Sequence, residues 1–245
     1  MTVQELIASP PKLHIAGQGA PTDTWKLSDE ELLFIDRAVD QNTRTIETGA
    51  GCSTVLFALK GADHTAIMPD RELADRILEY CAERRICTSG LKFIIDKSES
   101  ALPRIQETDF QLALIDGRHG FPQPFLDYYY LASLLKPGGY LIVDDLHIWT
   151  CETLMQYLVE DNINWRLIHE SLGGCAFKKL GGDSQDSDYG GQTYVRRRSR
   201  QFSSLAKARY LVHLLKRRNY GLFRSTLRLG IQSAVAGRFG DRGRR

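Results

Sequence analysis

What this 245-residue sequence lacks narrows its class first. It has no apolar run near the roughly 18 residues that a bilayer span requires, and its start, MTVQELIASPPK, has neither the charged nor the apolar region of a signal peptide. The expectation is a cytoplasmic protein. Cysteine is sparse: five residues, an odd number, with no Cys-x-x-Cys pair, so neither a disulfide framework nor a zinc site is indicated. Most read as small core or helix residues, and Cys52, beside a glycine turn, is the one placed to be reactive. Acid is nearly missing from one region. From Val195 onward 15 Lys and Arg face a single acid, Asp241, while the rest of the chain carries 17 basic and 29 acidic side chains. The molecule reads as an acidic body with a basic tail.

The body has regular punctuation. Residues 1–27, with Pro10, Pro11 and Pro21, read as an irregular arm. A capping box, Ser28 with Glu31, opens a helix, and the strand Arg44–Thr48 then runs into Gly49-Ala50-Gly51 and a second helix. His64–Met68, Leu91–Ile95, Phe110–Asp116 and Gly138–Asp145 read as further strands. Amphipathic helices separate them: RELADRILEYCAERR, a short one over Glu99–Gln106, FLDYYYLASLL closed by Lys136-Pro137-Gly138-Gly139, and one over about Leu146–Glu160. This alternation predicts a doubly wound parallel sheet. NWRLIHE and GCAFKKL lie too close together for a parallel crossover, so the domain ends in an antiparallel hairpin. Leu180–Gln192, rich in Gly, Ser and Asp, reads as a linker. The boundaries expected are an arm over 1–27, a domain over 28–180, a flexible linker over 181–194 and a basic helical tail over 195–245.

Arg44–Thr54, RTIETGAGCST, is a ligand-binding βα turn on this reading. Gly49 permits the reversal, Gly51 bares backbone to a ligand, and Ser53 caps the helix. A nicotinamide fingerprint wants a third glycine where Thr54 stands, and here an acid, Glu47, precedes the first glycine. The E-x-G-x-G-x-S pattern resembles motif I of the class I S-adenosylmethionine-dependent methyltransferases. IDGRHGF after the fourth strand and IVDD closing the fifth resemble the bacterial O-methyltransferases of the family 24 type, a branch akin to macrolide-sugar and coumarin-antibiotic enzymes. The resemblance covers about Ser28–Leu180. It implies a seven-stranded Rossmann-like sheet with a C-terminal antiparallel hairpin. It also implies S-adenosyl-L-methionine as cofactor, with Glu47 holding its ammonium and the glycines facing its methionine half. Where the family places a ribose-binding acid this chain has Met68; Asp70, two residues on, is either its substitute or the cap of the next helix, and Asp96–Ser98 should line the adenine pocket.

Asp116, Asp144 and Asp145 end adjacent strands and should meet beside the sulfonium. Carboxylates that close repel unless a cation neutralises them or one is protonated, and an oxygen-only set suits Mg²⁺ or Mn²⁺. The alternative is that Asp144 and Asp145 merely cap the following helix. In the resembling enzymes matching acids bind a metal that lowers the pKa of the acceptor hydroxyl. His119 and His147 are candidate general bases, with imidazole pKa suited to neutral pH. Arg118, Phe121, Tyr128 to Tyr130 and Trp149 supply a cation and aromatic faces for a sugar or phenol, although the tyrosines equally suit helix packing.

The tail, with Leu205, Leu211, Val212 and Leu215 near one stripe, reads as a basic amphipathic segment. It suits an anionic membrane surface, an acidic partner, or the acidic body of its own chain or of a second copy in a homodimer. Nucleic acid is disfavoured, because no reading module accompanies the charge. The function expected is methylation of a small-molecule, sugar or glycolipid hydroxyl. The rival readings are a non-catalytic adenosyl-cofactor or nucleotide-binding module acting through the tail, and an oxidoreductase, which Thr54 disfavours.

Overall fold

The computed structural model describes residues 1–16, 20–23, 25–161, 163–181 and 188–228. The chain divides into two compact units, 1–187 and 188–245. The segment expected to be an irregular arm is structured instead. Thr2 and Glu5 form a capping box on α1 (Val3–Ala8), and β1 (His14–Ala16) pairs antiparallel with β2 (Ala20–Thr22). Leu6, Leu13 and Leu27 are buried in the core, so the segment is anchored on both sides of this hairpin. The T-x-x-E signature at its start was a legible helix signal.

The Ser28–Glu31 box opens α2 (Asp29–Ala38) as expected. The alternation then runs β3 (Arg44–Thr48), α3 (Cys52–Leu59), β4 (Asp63–Met68), α4 (Arg71–Glu83), β5 (Leu91–Ile95), α5 (Ser98–Ala101), β6 (Phe110–Ile115), α6 (Gln123–Leu134), β7 (Leu135–Val143), α7 (Trp149–Glu160), β8 (Trp165–Glu170) and β9 (Cys175–Lys179). The seven-stranded sheet has the order β5-β4-β3-β6-β7-β9-β8. The first five of these run parallel, while β9 is antiparallel to both β7 and β8. Apolar clusters fill both faces, with Leu32, Val55 and Ile77 on one and Leu131, Leu154 and Phe177 on the other. A parallel sheet needs that double cover, and it explains the nearly unbroken apolar runs of β6 and β7.

Two boundaries differ from the expected ones. Lys136-Pro137-Gly138-Gly139 is not a loop after α6 but part of β7, which is shifted in register against β6. A Cβ on Gly139 would lie 3.1 Å from the Gln111 carbonyl oxygen, so the glycine admits close backbone approach. The next helix begins at Trp149 with Ile148 as its cap, not at Leu146, and this removes Asp144 and Asp145 from any capping role.

In the second unit, α8 (Thr193–Lys216) carries the basic residues. Phe202, Leu205, Tyr210, Val212 and Leu215 are exposed on it. At 100° per residue Leu205, Leu211, Val212 and Leu215 fall within one arc of roughly 120°, while Phe202 and Tyr210 lie outside it. Residues 182–187, in the middle of the expected linker, and 229–245, at the end of the tail, lie outside the described residues.

The turn after β3 is fixed by a buried network that replaces the third glycine. Thr54 Oγ1 accepts from the Gly51 amide at 2.9 Å and donates to Glu47 Oε1. Ser53 Oγ donates to Glu47 Oε2 at 2.7 Å, and His64 Nε2 lies 3.0 Å from Oε1, with its other ring nitrogen 2.7 Å from Thr45 Oγ1. β3, β4 and the first turn of α3 are thereby joined through one carboxylate. Thr54→Ala leaves a buried amide and a carboxylate oxygen short of partners, which costs about 1–3 kcal/mol. Urea unfolding should show that loss, with Thr54→Ser recovering most of it.

Candidate active site

The C-terminal ends of the parallel strands open into two adjoining cavities on either side of the point where strand order reverses, between β3 and β6. Gly49 takes a positive φ of 97°, and a Cβ there would lie 2.0 Å from the Asp116 carbonyl oxygen. The turn residue is therefore glycine because the end of β6 presses against it. Gly51 is bare as expected, but what meets it is a protein group: a Cβ would lie 2.9 Å from His14 Nε2.

The first cavity, about 410 Å³, is lined by Thr48, Gly49, Met68, Asp70, Ser98 and Asp116, together with His14 and Trp25 from the N-terminal segment. Its β4 edge is apolar, formed by Ile67, Met68 and Pro69. Asp70 borders it, yet its carboxylate is occupied. Oδ1 caps α4 by accepting from the Leu73 amide at 3.1 Å, and Oδ2 accepts from Arg76 at 3.3 Å. Of the two sequence readings the cap is the one realised. Ser98 Oγ accepts from Gln123 Nε2 at 2.8 Å, and that amide also donates to the buried Asp127, whose carboxyl is pushed up by burial.

Two expected cofactor contacts are used inside the protein. Glu47 is fully buried by Ser53, Thr54 and His64 and lines neither cavity. Ser53 is not the helix cap, because α3 begins one residue earlier with Gly51 in that position. Cys52 is buried, and burial pushes its thiol up to about 12, so it is inert rather than reactive.

The second cavity, about 500 Å³, is polar and holds Lys26, Asp116, His119, Asp144, Asp145 and His147. The strand register puts Ile115 beside Val143, so the residues that follow, Asp116 and Asp144, emerge side by side. Three acids do meet here, and their roles differ. Asp144 turns inward: it is buried and hydrogen-bonded on one side to Asp116 and on the other to Glu31 of α2. Gly174 in the β8–β9 turn makes room for that Glu31 carboxyl, since a Cβ there would lie 1.6 Å from Oε1.

Carboxylates this close repel one another, which favours a proton on some of them. Burial, with the neighbouring charges of Asp144 and Glu47, pushes Asp116 well above the carboxylate range. Burial, with Glu31 and Asp145, pushes Asp144 up to about 8. Burial likewise raises Glu31.

Asp145 sits in the left-handed region with φ 58°, a conformation rare for a side-chain-bearing residue and tolerated by Asp. It aims its carboxylate at both histidines. Oδ2 is 3.1 Å from His119 Nδ1, and Oδ1 is 3.5 Å from His147 Nδ1. His119 is half-buried, and desolvation lowers its pKa against the opposing pull of Asp145. Its Nε2 is buried without a protein partner, and its carbonyl accepts from Thr150 of α7. His147 is 71% exposed at the rim.

One ligand atom from each of Asp116, His119 and Asp145 lies within 4.8 Å of the others. Two carboxylates and an imidazole with open positions fit a hard divalent cation. The group that the structure brings together has His119 where the expected trio had Asp144. Asp145→Asn should abolish Mn²⁺ binding measured by calorimetry, whereas Asp144→Asn, which still hydrogen-bonds Asp116 and Glu31, should leave it measurable.

Residues 46–146 match the family model of a methyltransferase domain. No curated protein matches the chain. Among solved structures, cofactor-bound Rv0187 from MTB superposes with a TM-score of 0.54 at 14% identity, covering 65% of this chain and 86% of that one. The O-methyltransferase TomG from Streptomyces achromogenes, in complex with S-adenosylmethionine, gives 0.53 at 15%, covering 65% and 83%. An rRNA methylase from Streptococcus thermophilus gives 0.50 at 15%, covering 62% and 96%. At such identities the likeness establishes the fold and nothing finer. The domain match over residues 46–146 and the shared fold agree with a class I S-adenosylmethionine-dependent methyltransferase.

Proposed function

We propose that this protein transfers the methyl group of S-adenosylmethionine to a hydroxyl of a small molecule, sugar or glycolipid, with assistance from Mg²⁺ or Mn²⁺. The observation that carries this reading is the Asp116–His119–Asp145 group in a polar cavity directly beside the cavity bordered by the glycine turn. Methyl transfer is an in-line displacement, so the protein has to align the acceptor oxygen near the methyl carbon and take its proton.

The residues suit both tasks. His119 Nδ1 stands 3.1 Å from Asp145 Oδ2, Nε2 has no protein partner, and desolvation lowers the pKa of the imidazole so that the neutral ring can take a proton. A divalent ion held by Asp116, His119 and Asp145 would lower the pKa of a bound acceptor hydroxyl. With His119 serving as ligand, His147 and His14 are the other imidazoles at the cavity. Asp116 has two ways to tolerate its neighbours, a proton or a cation. Trp25, which is exposed and lines the cavity, suits a flat acceptor.

The TomG likeness is to an O-methyltransferase, which agrees with a hydroxyl acceptor, although the rRNA methylase shares the fold. The basic helix α8 is proposed as a contact for an anionic membrane surface or an acidic partner. No described helix is long and apolar enough to cross a membrane.

Calorimetric titration with S-adenosylmethionine and S-adenosylhomocysteine, each with and without Mg²⁺ and with NADH as control, tests the reading. Saturable heats for both adenosyl ligands and none for NADH are expected. A magnesium-dependent heat should disappear in Asp116→Ala. Absence of adenosyl binding at high protein concentration would overturn the assignment; binding without any metal heat would remove the ion and leave His119 as base.

A further inference from the structure

The two cavities share five residues: His14, Trp25, Ala50, Asp116 and Gly117. Ala50, Asp116 and Gly117 belong to the strand-end loops of the sheet, whereas His14 and Trp25 come from the N-terminal segment outside the matched methyltransferase domain. On the reading above, the cofactor occupies the cavity at the glycine turn and the acceptor the polar one. The methyl group passes from one to the other, so the sulfonium that carries it must lie where the cavities meet, among these five residues.

Of the five, Trp25 alone offers an extended π face. We propose that Trp25, positioned by His14, binds the sulfonium of S-adenosylmethionine by a cation–π contact, so that the N-terminal segment completes the cofactor site. Ring faces attract cations, and indole does so best.

The placement of Trp25 is built rather than accidental. Leu13 and Leu27 are buried on either side of the segment, and the Leu13 carbonyl accepts from Arg76 Nε of α4 at 2.7 Å. That fixes His14, whose imidazole covers the bare face of Gly51. The indole then packs on the imidazole with ring centroids 5.2 Å apart and planes inclined by 59°. Burial and the nearby Arg76 lower the pKa of His14, so it supports the indole without adding a competing positive charge. Trp25 nevertheless remains 59% exposed: one part of the ring is held and the rest is open to the cavities.

The inference rests on the assignment of the cofactor cavity, and the test separates the two. S-adenosylmethionine carries the sulfonium charge, whereas S-adenosylhomocysteine has the same groups around a neutral thioether. Both are titrated calorimetrically into the full chain, as wild type, Trp25→Leu and Trp25→Phe. Leucine keeps apolar area but has no π face; phenylalanine keeps the face.

Trp25→Leu should weaken S-adenosylmethionine about 2- to 30-fold while changing S-adenosylhomocysteine little, and Trp25→Phe should restore most of the loss. Equal losses for the two ligands, or none, would overturn the cation–π assignment while leaving the cofactor site intact. Failure of the wild type to bind either ligand would overturn both. Thermal unfolding of the variants controls for misfolding; a leucine variant that unfolds early is replaced by Trp25→Met, for which the same selective loss is expected.

Discussion

The site depends on how closely β3 and β6 come together at their C-terminal ends. Thr48 lies beside Ile115 in the ladder, and the amide of Asp116 donates to the Thr48 carbonyl at 3.0 Å. The backbone of Asp116 thus sits where a side chain on Gly49 would have to go. Gly49 turns the chain away with positive φ and α3 starts three residues later, while β6 delivers Asp116 to the floor shared by both cavities. One steric constraint sets the turn, the direction of α3 and the position of an acid at the chemical centre.

That arrangement creates an electrostatic problem, because β7 ends beside β6 and adds Asp144 and Asp145 to the same floor. The protein divides it in two. Asp144 is drawn into the interior beside Asp116 and Glu31, where burial raises the pKa of all three, and the glycine turn of the β8–β9 hairpin leaves room for Glu31. Asp145 is turned outward by its left-handed backbone and is met by two imidazoles. Unneutralised charge is therefore confined to the side that faces the polar cavity, where a cation or an acceptor proton can respond to it.

Much of this was legible in sequence because it is local. The glycine turn, the Ser28 capping box, the order of strands and helices and the closing hairpin each follow from short-range pattern, and the acids at the ends of β6 and β7 follow from topology. Direction was not legible. Nothing local distinguishes Asp144 from Asp145; their division depends on Glu31, more than a hundred residues away in sequence, and on one positive φ. Glu47 and Ser53 fit a ligand motif, yet Thr54 and His64 bind the carboxylate internally, a contact across two strands and a helix. The N-terminal segment was read from its prolines as irregular, whereas buried Leu6, Leu13 and Leu27 decide its path. His14 and Trp25 reach the site through that long-range packing, which no spacing rule encodes.

The replacement of the third glycine has a consequence for the ligand side as well. A glycine at position 54 would leave Glu47 with fewer internal donors and free to reach the turn, whereas Thr54 and Ser53 consume its oxygens. The carboxylates of Glu47 and Asp70 are both occupied within the protein, so neither stands free to meet a cation in the cavity at the glycine turn. Asp116, pushed towards its neutral form, offers little more. On the proposed reading, the positive sulfonium meets a floor whose negative charge has been neutralised by protons, and the aromatic face of Trp25 becomes the attractive group available to it. The neutralisation of Asp116 thus links cofactor binding to the acceptor side of the same floor.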